Sequence, residues 1–322
     1  MNDGFAAELK RYGPGTDYPP LDRNVAQSYC SRLARSHYEN FSVASLLLPR
    51  RLVPHFHNVY AYCRWADDLA DLPAAAAALN YRPLELLRWW RQELLSCYHG
   101  KPRHPVMIAL SRTIRQFGIP AQPFLDLLFA FEQDQLIRQY RTYEQLIGYC
   151  QHSANPVGRI VLYLFGQFNA TNATYADAIC TALQLTNFWQ DVRRDLDLGR
   201  VYLPEEDRLR FGYSDEDLHA RRFTPAFAQL MQFEIERTRA LFQQGSALFA
   251  RLPEAARMNV ELFADGGLAI LRKIETLGYN VWRKRPVLPR WQKGWLVLNS
   301  LFRRWRRHVE QNWTTHQTTS DA

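Results

Sequence analysis

The sequence predicts an all-α fold, and three observations carry that expectation. Apolar residues recur at intervals of three and four along most of the chain, and proline and glycine stand between these segments rather than inside them. No run alternates apolar with polar residues for long enough to make a strand.

Taken in order, residues 1–23 contain Gly13-Pro14-Gly15 and Pro19-Pro20 and read as an irregular lead-in. From Asn24, a candidate N-cap, Val25, Tyr29 and Leu33 repeat every four residues and predict a helix ending near His37. Pro54 suits the first turn of the next helix, whose Phe56, Tyr60 and Cys63 lead into Asp67-Asp68-Leu69-Ala70-Asp71. Pro73 and the run Ala74 to Ala78 close it. Helical periodicity follows over roughly 83–97, 105–117 and 120–136, punctuated by Pro105, Gly118 and Pro120, then near 143–151, 154–169 and 173–195. Gly199 to Pro204 breaks the pattern as a loop, placed as a flap beside the second acidic stretch. Ser214 to Leu218 reads as a helix start, and long helices resume over 224–250 and 253–282. No repeat or low-complexity linker divides the chain, so one domain over 24–285 is expected, followed by a tail over 286–322.

Composition sets bounds on function. The 322 residues are 47% hydrophobic, enough for a large core, yet the longest apolar stretches, such as Ile160 to Phe165, are too short to cross a bilayer. The segment Met1 to Tyr12 is charged and lacks the apolar run of a signal peptide, so a cytoplasmic protein is expected, free or peripheral on the inner face of the membrane. Five cysteines are scattered and never spaced as CxxC, which argues against a disulfide framework and a zinc site. A net charge of +8 suits an anionic partner. Nucleic acid, an anionic membrane and a phosphorylated small substrate all qualify on charge, but no nucleic-acid-binding module accompanies it, and nucleic acid is not expected.

The chemistry is concentrated in two acidic stretches. In Gln184-Leu-Thr-Asn187-Phe-Trp-Gln190-Asp191-Val-Arg-Arg-Asp195, steps of three and four put Gln184, Asn187, Asp191 and Asp195 on one helical face. Asp67 and Asp71 repeat the spacing on an earlier helix. Two such helices can offer carboxylate pairs to a common point, a cage for hard cations such as magnesium, which takes oxygen ligands and bridges carboxylates to phosphates. Asn187 supplies a neutral oxygen, and Gln184 can bond a metal-bound water or the substrate. Acidic pairs at helical spacing are also the ordinary pattern of a solvated face; here they continue apolar helix surfaces, where an unpaired charge is costly.

The runs His37-Tyr38-Glu39-Asn40-Phe41, Leu47-Leu48-Pro49, Tyr60-Ala-Tyr-Cys-Arg64 and Asp67 to Asp71 resemble the first signature of the squalene and phytoene synthase family. Tyr149-Cys150, Val157-Gly158, Gln184 to Asp195 and Arg200-Val-Tyr-Leu-Pro204 resemble the second, so that the similarity spans about residues 25–285. It implies a helical bundle of the isoprenoid synthase type, with the acidic motifs facing each other across a central cavity. It further implies several magnesium ions on Asp67, Asp71, Asn187, Asp191 and Asp195, which pull a diphosphate from an isoprenoid substrate. Substrate contacts are carried over to His37, Asn40, Phe41, Tyr60, Arg64, Gln184 and Arg200. The ring of Phe41 or Trp189 would stabilise a carbocation.

Departures from the family pattern narrow the expectation. Tyr38-Glu39-Asn40 stands where members that condense two prenyl diphosphates often have hydroxyl and basic residues, and Gln190 stands where they commonly have arginine. Gly266-Gly267 aligns where a tyrosine is often found. Fewer anion-holding groups suit a site gripping one diphosphate, and the set His37 to Phe41, Ser153 to Gly158 and Asn187 to Asp191 is most similar to the hydroxysqualene synthases of bacterial hopanoid pathways. That resemblance implies presqualene diphosphate as substrate, hydroxysqualene as product and no NADPH. Head-to-head condensation of prenyl diphosphates is the alternative, and an inactive relative serving as a membrane assembly partner is a third reading.

The tail sets Trp291, Trp295, Leu298, Phe302, Trp305 and Val309 on one helical face, with Lys293, Arg303, Arg304, Arg306 and Arg307 around it. Such a stripe packs on the protein's own core or lies in a membrane interface. The oligomeric state is left open.

Overall fold

The computed structural model describes residues 3–36, 48–71 and 81–289. Among these the regular structure is helical, and the one extended pairing is an isolated parallel bridge between Gln139 and Val201. The elements are α1 (Asp3–Tyr12), α2 (Arg23–Ser36), α3 (Val53–Ala70), α4 (Pro83–Tyr98), α5 (Pro105–Phe117), α6 (Gln122–Gln133) and α7 (Tyr143–Ser153). They continue as α8 (Asn155–Leu164), α9 (Ala170–Asp197), α10 (Glu205–Arg210), α11 (Asp215–His219), α12 (Pro225–Gly245), a 3₁₀ turn (Ser246–Arg251) and α13 (Glu254–Thr276).

Local chemistry explains the boundaries. Proline occupies the first turn of α3, α4, α5, α6, α8 and α12, where its missing N–H costs nothing. Asn169, Thr142, Ser214 and Thr224 cap α9, α7, α11 and α12 by accepting a backbone N–H within the first turn. Gly118 ends α5 in the left-handed conformation, at φ 62°. Two expectations need correction. The lead-in over 1–23 contains α1, whose Ala6, Leu9 and Tyr12 lie three apart and are buried. Asn24 is not the cap of α2, because the Asp22 side chain accepts the Asn24 N–H at 2.7 Å.

Two apolar cores result. The first joins α1 to α6 around Trp65, Trp90 and Tyr62, with Trp65 and Trp90 stacked at 5.3 Å and His104 set edge-on against both. Burial pushes the His104 imidazole well below its usual range, so it stays neutral inside this aromatic cluster. The second core is built around α9, which packs against α7, α8, α12, α13 and the 3₁₀ turn. Its contacts are close because glycine permits them: a Cβ at Gly245 would lie 2.4 Å from an Ile179 side-chain carbon and 2.9 Å from the Tyr175 carbonyl oxygen. The second core also encloses Glu234 and Asp207, which share Arg237 at 2.7 Å each while Arg237 covers the Tyr143 ring. The two acidic stretches therefore belong to different cores, α3 to the first and α9 to the second.

Candidate active site

Along α3 the face carrying Phe56, Tyr60 and Arg64 ends at Asp67. On α9 the corresponding face carries Ala176, Cys180 and Leu183 before Asn187 and Asp191. The apolar members line a chamber of about 190 Å³, closed by Leu48, Val161, Phe165 and Phe263, with Asn259 its one polar wall residue. A rise of about 1.5 Å per residue sets Asp191 about 12 Å beyond Leu183, and Asp67 about 16 Å beyond Phe56. Both helices thus place apolar chamber first and carboxylates last, so the acidic groups stand at one end of the chamber.

Arginines organise that end. Arg64 donates through Nε to Asp68 at 2.9 Å, pairs with the same carboxylate through Nη2, and lies 3.3 Å from Asp67. Arg200, from the loop after α9, reaches Asp71 at 3.7 Å, and its charge also opposes the upward shifts of Asp67 and Asp195. One guanidinium therefore ties the acidic pair of α3 to that of α9. Asp67 is pushed up to about 6, first by burial and then by Asp71 and Asp68, against the pull of Arg64 and Arg200. Asp195 is pushed up to about 7, by burial and by Asp191 one turn earlier. At both carboxyls burial and like charge thus outweigh the pull of the arginines.

The loop after α9 lies beside the site, as the sequence predicts, but it is pinned rather than open. Val201 donates its N–H to the Arg138 carbonyl at 2.7 Å, and Tyr202 stacks on Phe188 at 3.8 Å and 9°. Asp191 itself sits at a break in α9, at φ −108° and ψ 15°. Its carboxylate receives both Arg285 nitrogens, the second at 2.8 Å. Gln190 does not face the mouth: it is buried, and its amide donates to the Pro286 carbonyl. Trp189 belongs to the core, fully buried with its N–H donated to Thr238 at 2.9 Å. Gln184 is half-buried and Asn187 exposed on the same helix. Tyr60 is half-buried one turn before Arg64. His37, Asn40 and Phe41 lie outside the described residues, as does the tail from residue 290 onward.

Sequence reasoning missed Asp68, Asp134 and Arg285. Asp68 was hidden between the two spaced carboxylates; it is 6% exposed and fixes Arg64. Asp134 follows α6, accepts the Tyr149 hydroxyl at 3.0 Å and faces the charge of Arg200. Its signal was a carboxylate just past the end of a largely apolar helix. Arg285 lies far along the chain, and no spacing rule connects it to Asp191.

The donor set fits a hard divalent cation. Asp67, Asp71, Asn187, Asp191 and Asp195 offer oxygen ligands, and the burial and like-charge repulsion that push Asp67 and Asp195 up are what such an ion would offset. Among the described residues no three His, Cys, Asp or Glu side chains are drawn together at one point.

A helical bundle with two carboxylate pairs at one end of an apolar chamber defines an all-α isoprenoid synthase. The sequence model for squalene/phytoene synthase matches residues 34–292, and the chain belongs to that family, whose members act on isoprenoid diphosphates. Squalene synthase HpnC from Alicyclobacillus acidocaldarius is 42% identical, with a TM-score of 0.77 over 81% of this chain and 97% of that one. A dehydrosqualene synthase solved with a ligand is 26% identical, with a TM-score of 0.78 over 90% and 98%. The 15-cis-phytoene synthase of Synechococcus elongatus is 31% identical over 285 residues, 84% of this chain and 91% of its own. No described helix is long and apolar enough to cross a membrane.

Proposed function

We propose that this protein is a magnesium-dependent carbon–oxygen lyase that ionises presqualene diphosphate and releases hydroxysqualene, without NADPH. One observation carries the choice within the family: identity is 42% to a squalene synthase, against 31% to a phytoene synthase and 26% to a dehydrosqualene synthase.

In this reading the hydrocarbon enters the apolar chamber and the diphosphate stays at the mouth. Magnesium on the two acidic pairs would supply charge neutralisation for the departing diphosphate. Arg64, oriented by buried Asp68, and Arg200, between the pairs, are fixed donors for the charge that collects on the leaving oxygens. The carbon–oxygen bond breaks with its electron pair on the diphosphate. The carbocation rearranges among apolar walls, which deny it early capture. Water then adds and loses a proton to give the alcohol.

The phytoene synthase relatives favour a second reading, head-to-head condensation of two prenyl diphosphates. Purified protein with magnesium and no reduced nicotinamide should convert presqualene diphosphate to hydroxysqualene and leave farnesyl and geranylgeranyl diphosphate untouched. Turnover of farnesyl diphosphate alone, with presqualene diphosphate unchanged, overturns the assignment. Peripheral docking of residues 286–322 on the inner face of the membrane is proposed with it, since the product is water-insoluble. Liposome sedimentation that survives deletion of residues 287–322 rejects that part.

A further inference from the structure

Arg200 reaches across the mouth with little of its own side-chain bonding to hold it. Its ion pair with Asp71 spans 3.7 Å, and its Nε is buried with no acceptor among the described residues. The guanidinium is therefore placed by its backbone, the loop from Gly199 to Pro204. That loop and the start of α10 are anchored on the segment before α7. Val201, Glu205 and Glu206 donate their N–H groups to the carbonyls of Arg138, Tyr140 and Arg141, at 2.7, 3.0 and 2.9 Å.

Both sides of this pairing rest on Arg237 of α12. It donates through Nη2 to Asp207 of α10 at 2.7 Å, and its guanidinium carbon lies 3.5 Å from the ring centre of Tyr143, the first residue of α7. The Tyr143 N–H donates to the Glu206 carboxylate at 2.7 Å and joins the two sides directly. Glu234, on α12 itself, is wholly buried and accepts from Arg237 Nε at 2.7 Å, while Asp207 is 5% exposed. Glu234 also lies within hydrogen-bonding reach of Asp207. Two carboxyl groups bond each other only when one of them carries a proton. Burial pushes Glu234 up to about 8, against the pull of Arg237 and with the like charge of Asp207, so the proton is held at neutral pH. Tyr143, the other titratable group facing Glu234 among the described residues, is pushed up to about 12, chiefly by burial, and stays neutral over the same range.

We propose that Asp207, Glu234 and Arg237 form a latch that positions Arg200 at the mouth, and that opening the latch withdraws Arg200 from the acidic pairs. The three are positioning residues, acting through the loop. Above about pH 8 the shared proton passes to solvent and two carboxylates face one guanidinium out of water. Water reaches Asp207 only if α10 moves outward, and α10 is continuous with the Arg200 loop, so the loop opens as a local unit. What Arg200 does at the mouth rests on the proposed ionisation chemistry; the latch itself is a property of the fold.

Hydrogen exchange of the full chain, expressed as protection factors so that the intrinsic pH dependence cancels, reads the latch without substrate. Protection over residues 201–206 should fall about tenfold from pH 6.5 to pH 9, and should stay below that of α5 throughout, as local opening requires. In Glu234→Gln, whose amide donates to Asp207 as the protonated acid does, protection should be flat. A flat wild-type profile, an equal fall in Glu234→Gln, or protection equal to that of α5 overturns the latch. Calorimetry with inorganic diphosphate and magnesium at pH 7 then reads Arg200. Arg200→Gln and Arg237→Gln should each weaken binding about tenfold, and the double variant should stay within about twofold of Arg200→Gln, since Arg237 acts through Arg200. Multiplied losses in the double variant, or unchanged affinity in Arg237→Gln, overturn the positioning role. Failure of the unaltered protein to bind diphosphate counts against the proposed chemistry at the mouth, and the exchange profile still decides the latch.

Discussion

Replacing Arg200 with glutamine should slow diphosphate release by about 10²–10³-fold while leaving the fold nearly as stable. The two effects separate because they draw on different environments. In the resting protein, Arg200 lies 3.7 Å from Asp71, where unit charges attract by about 4 kcal/mol at an effective dielectric of about 20. Asp71 is 63% exposed, however, so water screens the pair to about 1 kcal/mol or less. Burying the guanidinium, whose side chain is only 21% exposed, costs a comparable amount, and the net effect on stability is small. During ionisation the mouth is covered by substrate and the charge on the diphosphate grows. Loss of one preorganised donor then costs about 2.7–4 kcal/mol of barrier, the stated rate range. Arg200→Lys keeps the charge but loses the fork and should fall between wild type and glutamine. Single-turnover diphosphate release with saturating presqualene diphosphate and magnesium, together with thermal midpoints, measures both effects. A rate for Arg200→Gln within about threefold of wild type would refute the idea that Arg200 joins the two acidic pairs into one working site.

Other expectations are as direct. Asp67→Ala and Asp191→Ala should each abolish turnover, by more than about 10³-fold, with the fold retained; if either variant still supports function in cells, the chain works as an inactive assembly partner. Glu234 is pushed up to about 8 by burial, opposed by Arg237 and reinforced by Asp207, from an ordinary value of 4.5. The folded chain then keeps a proton that the unfolded chain loses near 4.5, so this contribution is full below that pH and is lost as pH rises to about 8. Thermal midpoints should fall from pH 5 to pH 8, and Glu234→Gln should flatten the slope; parallel curves for the two proteins would rule the explanation out. Gly245→Ala should destabilise by about 1–3 kcal/mol, because the added carbon meets backbone atoms of α9 that have nowhere to go. An unchanged denaturant midpoint would show that α12 shifts freely.

Much of the fold was legible because helical spacing and its punctuation are local signals. Pro105 and Gly118 bound α5 as the sequence predicts, and Ser214 caps α11. The first helix escaped notice because α1 has only ten residues and buries only one edge. The carboxylate pairs were legible for the same local reason, four residues being one turn. What joins them was not: Arg200 reaches Asp71 from a loop, and Arg285 reaches Asp191 across 94 positions of sequence. Gln190 shows a contact that the motif could not disclose: its amide ties down the backbone at Pro286, 96 positions further along the chain.

The break in α9 gives the acidic pair a property that a straight helix would withhold. In regular helix, side chains four apart keep one fixed separation. Here the torsions of Asp191, in the sparsely populated bridge region, lie inside the span to Asp195. The two carboxylates are then a chelate whose bite is set by the backbone as well as by rotamers. The same break sets the direction of the last turn of α9, and with it the root of Arg200.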